Sequence, residues 1–279
     1  MGEPSMSTVK ISVVICSIDA GKFARVCECY KRLLHGHPCE IIGIHDAKSL
    51  AEGYNRGLQR STGGIVIFSH DDILIIERDL PGKLQRYLIR HDILGFAGAS
   101  RVVSGSWTAA GFPHLHGVVA HALPKSPSIK MNIFGVQQWP IIPNIKLLDG
   151  LCIIATREAA DAIRFDPELF DGFHLYDLDF SFRAHLAGYR LGVICDIPII
   201  HESGGQFDQT YIHYATRFCS KYESHFDQQD FQPEVDIKPR HRPPSKGLSL
   251  PDHISVLTLW QRELLQRATI SIARTNRHE

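Results

Sequence analysis

The chain has no surplus of charge: 30 Lys and Arg balance 30 Asp and Glu over 279 residues. A protein that grips nucleic acid through its phosphates needs a basic excess, so the balance argues against that class. It also has no apolar run near the ~20 residues a membrane-crossing helix requires. Met1 to Lys10 has no apolar core of the kind a secretory signal carries. Cysteine is present but unpatterned. The seven, at 16, 27, 29, 39, 152, 195 and 219, show no zinc-ligand spacing. Cys27-Glu28-Cys29 is one residue too tight for a redox CxxC. Reduced, mostly buried thiols in a cytoplasmic protein are expected. The 16 histidines contain no His-Glu-x-x-His cluster, which leaves a metal hydrolase the least supported class.

What is present is an alternation of strands and helices. Lys10–Cys16, Glu40–His45, Ile65–Phe68 and Ile93–Ala97 are short apolar, β-branched runs that predict strands. Between them, Ala20–Leu34 and Leu50–Arg60 carry apolar residues at helical spacing, and Gly63-Gly64 stops the second. Asp79 is a good N-cap, with Pro81 in the first turn of a helix running to about Arg90. Such alternation implies a mostly parallel central sheet with helices on both faces. From Ser104 to Asn144 the pattern breaks into an irregular excursion, with a short hairpin expected around Gly117–Ala122. Leu151–Thr156, Arg190–Cys195 and Ile199–His201 then predict strands, and Arg157–Ile163 and Tyr176–Ala187 predict helices. The expected domain spans 1–222. A polar, Pro-rich linker follows over 223–253, and an amphipathic helix closes the chain over 254–279. That helix suits packing, a homodimer or a peripheral membrane contact.

The chemistry concentrates at strand ends. Ile65–Phe68 suits a strand buried on both faces, and Ser69-His70-Asp71-Asp72 follows where it should leave the sheet. Ligands of open α/β sheets bind at the carboxyl ends of strands. Adjacent carboxylates there repel each other unless a cation lies between them. Hard divalent cations prefer oxygen, and Mn²⁺ also accepts imidazole. The pair therefore points to a metal held against a diphosphate; its plain alternative is a turn cap.

The order of the signals carries more than any one of them. Cys16-Ser17, Asp46, His70-Asp71-Asp72, Asp149-Gly150, Tyr176-Asp177-Leu178-Asp179, Gly188-Tyr189 and finally His201 in His-Glu-Ser-Gly-Gly follow in series. The series resembles the family-2-like glycosyltransferases of GT-A fold, over about Lys10 to Gly205. It is most similar to the bacterial branch in which His-x-Asp stands for Asp-x-Asp. The resemblance implies a Rossmann-like nucleotide-diphospho-sugar transferase fold and metal-dependent glycosyl transfer. It implies donor contacts at Ser17, Asp46, Asn55, His70 and Asp71, and a divalent metal, Mn²⁺ or Mg²⁺, on Asp72 and His201. Asp149 and Gly150 would form a loop near the donor or acceptor sugar.

In the family pattern Glu-Asp-x-Asp the first aspartate is the general base, which is Asp177 here. Asp177 and Asp179 are two apart, so on a helix they diverge by about 200° and only one readily faces a cleft. Asp179 would orient or cap the helix. The chain departs from the pattern at three places: His70 for the first acid, Tyr54 for the Arg of Arg-Asn-x-Gly, and Tyr176 for the Glu. Asp46 has an equal standing as a simple turn residue.

The reading is an inverting glycosyltransferase taking a nucleoside-diphosphate sugar and a saccharide, lipid-linked or protein acceptor. A sugar nucleotidyltransferase is the first rival. The loop after the first strand, Cys16 to Lys22, holds one basic residue rather than the glycine-rich basic loop of that class. A non-catalytic nucleotide-sugar-binding relative is the second, on account of Tyr54 and Tyr176. Trp107, His114, His116 and Trp139 are candidates to face an acceptor, because aromatic rings stack on sugar faces. A cytoplasmic location follows from the composition, with a peripheral contact at the inner membrane face left open.

Overall fold

A computed structural model describes residues 9–122, 129–134, 140–204, 207–226 and 248–250. Trp139 and the expected helix over 254–279 lie outside the described residues. The chain opens with β1 (Ile11–Cys16), α1 (Ala20–Leu33), β2 (Cys39–Ile44), α2 (Leu50–Arg60) and β3 (Ile65–Ser69). Asp19 caps α1 by accepting from the amides of Gly21 and Lys22, and Ser49 caps α2 through the amide of Glu52. The three strands pair in parallel, with β1 in the middle. Their carboxyl ends therefore share one edge, as the alternation of strands and helices requires.

The rest of the chain builds on this unit with β4 (Ile73–Ile75), α3 (Leu80–Tyr87), β5 (Ile93–Gly95) and β6 (Ala97–Ala99). The long excursion supplies β7 (Leu115–His121), β8 (Ile129–Phe134), β9 (Ile141–Pro143) and β10 (Leu147–Leu148). Next come β11 (Cys152–Thr156), α4 (Arg157–Ile163), α5 (Tyr176–Leu186), β12 (Leu191–Ile194), β13 (Ile199–His201) and α6 (Gln209–Tyr222). β14 (Leu248–Leu250) pairs antiparallel with β8, inside the stretch expected as linker.

Two sheets result. The central one runs β2-β1-β3-β11-β5-β12-β9 and the second β10-β6-β7-β13-β4. In the central sheet β11 enters antiparallel between β3 and β5, and β9 is antiparallel to β12. The run read as one strand over Ile93–Ala97 is two. It breaks at Phe96, so that β5 serves the central sheet and β6 the second. Gly117–Ala122, where a short hairpin is expected, instead runs along β7, which pairs antiparallel with β8. The core is continuous: Val13, Val14, Ile67, Phe68, Ile153 and Ile154 are all fully buried. Burying such side chains is the main favourable contribution to folding. No helix among the described residues is long and apolar enough to cross a membrane.

Candidate active site

Both sheets deliver residues to one cleft of about 290 Å³. On one wall stand His70, the first residue after β3, and His201, the last of β13; Asp71 and Asp72 follow His70. β13 lies antiparallel to β4, in register His201↔Ile73, which brings the late histidine back beside the strand-end acids. One donor atom from each of His70, Asp72 and His201 lies within 4.8 Å of the others. His201 Nε2 is 3.1 Å and His70 Nδ1 4.0 Å from Asp72 Oδ1. Two ligands of one ion, each at ~2.1 Å, are separated by roughly 3–4 Å, so the group fits a single small divalent cation. Two imidazoles and one carboxylate form a mixed donor set suited to a first-row transition metal. The sequence assigned Asp72 and His201 to the metal and His70 to the donor; His70 joins the other two.

Burial pushes the Asp72 carboxyl up, but the hydrogen bond from His201 and the charges of His201, His70 and Lys22 outweigh it and hold it well below the carboxylate range. Burial, then the neighbouring His201, lowers His70 from the usual imidazole value. Asp71 points the other way and accepts from Ser17 Oγ at 2.6 Å, which ties the ends of β1 and β3 together.

The opposite wall is the start of α5 with the Asp149-Gly150 loop. Leu175, which precedes α5, has φ +62°, a left-handed conformation that an L-residue adopts only when its surroundings impose it. It turns the chain so that Tyr176 and Asp177 open the helix against Gly150. Asp177 Oδ2 accepts from the Gly150 amide at 2.7 Å. A side chain at Gly150 would collide with the hydroxyl of Tyr176, so the glycine is there for close approach. Burial first, and then the charge of Asp149, raise the Asp177 carboxyl to about 7. A carboxylate tuned to neutrality can accept a proton at physiological pH. Asp149 itself accepts from Trp107 Nε1 at 3.0 Å and from the Leu151 amide.

His70, Asp149, Gly150, Asp177 and His201 therefore line one cleft, with Asp72 beside the two histidines and the Ser17–Asp71 pair next to it. Three expected site residues do not join them. Asp46 shares the strand-end edge, but its exposed carboxylate is held by Arg56 through two hydrogen bonds of 2.8 and 3.2 Å. Asn55 spends its amide on the backbone of Phe165, donating to the carbonyl and accepting from the N–H, both at 2.9 Å. Asp179 is fully buried away from the cleft, between Arg183, Lys221 and Tyr222. Of the acceptor candidates, Trp107 lines the cleft. His114 and His116 instead face Ser100.

Sequence reasoning passed over His121, Ser203 and Lys22. His121 ends β7 as His201 ends β13, and the two strands pair with His201 opposite His121. Its Nδ1 bonds the Ser203 carbonyl, and Ser203 Oγ lies 2.9 Å from His201 Nε2. The signal was the matching form of two apolar runs, each closing on histidine. Lys22 sits one helical turn into α1, with Nζ 3.8 Å from Asp72 Oδ2.

Comparison with known proteins agrees with this layout. No curated protein sequence matches. Among solved structures the chain is similar to a mannosyltransferase, PcManGT from Pyrobaculum calidifontis, in complex with GDP-Man and Mn²⁺. That match has 11% identity and a TM-score of 0.46, over 77% of this chain and 62% of that one. It is also similar to GalNAc-T7 with UDP, GalNAc and Mn²⁺, at 11% identity and a TM-score of 0.51, over 84% of this chain and 53% of that one. The chain thus spans between half and two thirds of the length of these structures, and the likeness to GalNAc-T7 is one of fold: GT-A. The sequence profile of the glycosyltransferase-like family matches residues 12–222, a stretch that holds both walls of the cleft. A chain with this fold and with that match over most of its length belongs to the glycosyltransferase-like family.

Proposed function

We propose that the protein is an inverting glycosyltransferase that moves a sugar from a nucleoside-diphosphate donor to an acceptor hydroxyl. The observation that carries the reading is the facing pair of walls. A carboxyl raised to about 7, Asp177, lines the same cleft as His70 and His201, the two imidazoles beside Asp72. His70, Asp72 and His201 would hold a divalent metal, Mn²⁺ in preference to Mg²⁺, because Mg²⁺ demands an oxygen shell. When bound, the metal supplies positive charge to a departing diphosphate. Ser17 and Asp71, hydrogen-bonded to each other at 2.6 Å, would contact the nucleoside side of the donor. Asp149 and Gly150 flank the sugar.

Asp177 takes the proton of the acceptor hydroxyl as its oxygen forms a bond to the anomeric carbon. The bond from that carbon to the phosphate oxygen breaks, and its electron pair leaves with the nucleoside diphosphate. One displacement from the opposite face inverts the anomeric configuration, with Asp177 in the role of base rather than nucleophile. The test is a screen of nucleotide-sugars with Mn²⁺ and a saccharide mixture, read as nucleoside-diphosphate release and as the anomer of the product by NMR. Release with an inverted product is expected. A retained anomer overturns the single displacement, and no turnover of any donor returns the chain to a binding role.

A further inference from the structure

We infer that Tyr176 is a positioning residue that fixes the tautomer of His70 and so turns His70 Nδ1 into a ligand. The inference rests on the metal reading above. Tyr176 Oη lies 2.8 Å from His70 Nε2 and 3.3 Å from the Gly150 carbonyl oxygen. A phenol has one proton to give. The carbonyl can only accept. If the phenol donates to Gly150, its oxygen accepts from His70, which requires the proton on Nε2 and leaves Nδ1 bare. Both bonds are then made. If the phenol donates to His70 instead, the imidazole proton moves to Nδ1. The nearest acid oxygen, Asp72 Oδ1, is 4.0 Å away, too far to accept it. The Gly150 carbonyl would also lose the phenol's bond. With the proton on Nε2 the protein makes both bonds, and with it on Nδ1 only one, so the arrangement favours the proton on Nε2 and leaves Nδ1 facing the cleft.

A bare Nδ1 directed toward Asp72 Oδ1 has one evident use, which is to share a cation with it. A metal-bound histidine commonly owes its orientation to a group on its other ring nitrogen. Here that group is a neutral phenol rather than a carboxylate. Tyr176 cannot swing away, because its ring is 3% exposed and packs at 5.7 Å from Tyr54 and 6.0 Å from Phe165. The three places where the chain departs from the family pattern, Tyr54, His70 and Tyr176, are thus a single contact chain. An imidazole ligand, the phenol that aims it and the ring that braces the phenol go together.

Tyr176→Phe tests this, because it removes the hydroxyl and keeps the ring. Mn²⁺ and Mg²⁺ are titrated by calorimetry into the full chain without donor, for wild type, Tyr176→Phe, His70→Ala and the double variant. The expected result is a roughly 10–100-fold weaker Mn²⁺ affinity in Tyr176→Phe. Mg²⁺, which gains little from imidazole, should weaken less than about threefold. The double variant should bind Mn²⁺ no more weakly than His70→Ala, since the phenol then has nothing to aim. Unchanged Mn²⁺ affinity, equal loss for both ions, or additive losses overturn the inference. Wild type that binds Mn²⁺ while Tyr176→Phe binds it equally leaves the metal reading standing. Wild type that binds no Mn²⁺ removes both. A second measurement needs no variant: the ¹⁵N shifts of His70 in the metal-free protein should show the proton on Nε2, and a proton on Nδ1 overturns the inference.

Discussion

At the scale of single residues, Asp177 is the most exacting test, because one carboxyl is asked to serve chemistry at the expense of stability. Its pKa is raised to about 7 by burial and by Asp149. A raised folded-state pKa means that the native protein holds this proton more tightly than the unfolded chain does. Stability linked to the group is full below the unfolded value near 3.8 and is lost as pH rises through 7. Asp177→Asn keeps the shape and the acceptor for the Gly150 amide but never ionises. Above pH 7 the variant should therefore be more stable than wild type, by about 2–4 kcal/mol, and the gain should vanish toward pH 4. Transfer should fall by about two to four orders of magnitude while donor affinity is retained. The wild-type kcat/KM should climb through pH 7 as Asp177 loses its proton. Thermal scans across pH and donor titrations of the variant check both halves. A variant less stable than wild type at pH 8 would show that Asp177 is not buried in this way.

At the scale of elements, α5 carries two acids with opposite fates, and α6 explains the second. Asp179 Oδ1 accepts from Lys221 Nζ and Tyr222 Oη, both at 2.6 Å, and Oδ2 from Arg183 at 2.7 Å. Lys221 and Tyr222 belong to the last turn of α6, so a buried acid on one helix anchors the end of the other. Asp179→Asn should cost about 2–3 kcal/mol. Lys221 keeps Asp166, and Arg183 keeps the Ile163 and Arg164 carbonyls, which limits the loss. Remaining transfer in folded Asp179→Asn should stay within about tenfold of wild type. Chemical denaturation and transfer rates together separate the two acids, and a dead but fully stable Asp179→Asn would exchange their roles.

The sequence was legible here where local pattern sets the element. α2 and α4 were read to the residue and β1 to within one, because caps, glycines and apolar periods coincide there. α6 was not read, although Asp208 caps it and Tyr211, Tyr214, Ala215, Phe218 and Tyr222 fall at helical spacing. Its polar positions are evenly mixed with aromatics, and its partner, Asp179, lies some forty residues away. The antiparallel entry of β11 was equally illegible, since an apolar run carries no mark of its direction. At the site the same limit applies. Strand-end acids announce themselves, but the occupation of Asn55 by Phe165 and the contact between Tyr176 and His70 depend on pairings across more than a hundred positions.

At the scale of the whole molecule, the two sheets meet at the wall formed by His70, Asp72 and His201. His70 leaves the central sheet at the end of β3, whereas Asp72 directly precedes β4 and His201 closes β13, both strands of the second sheet. An ion bridging them would tie one sheet to the other, as would a diphosphate bound to that ion. Ligands that bind only the folded state raise its stability with the logarithm of concentration over Kd. A nucleoside diphosphate at a hundred times its Kd would add about 2.7 kcal/mol, or roughly 5–10 °C in Tm for a folded unit of this size. With Mn²⁺ present, UDP or GDP should give such a shift in the full chain, and chelation with EDTA should abolish it. Asp72→Ala removes the carboxylate that lies beside both imidazoles, so it should fold in metal-free buffer yet show no Mn²⁺-dependent shift with either nucleotide. The control is acid. Because the Asp72 carboxyl is held well below its ordinary value, its linked stability is present above about pH 4 and is lost only as pH falls below that. Wild type and Asp72→Ala should therefore converge in strong acid and separate at neutral pH. Should Asp72→Ala keep a full Mn²⁺-dependent shift, the ion would have to be held without Asp72, and its place among the ligands would be lost.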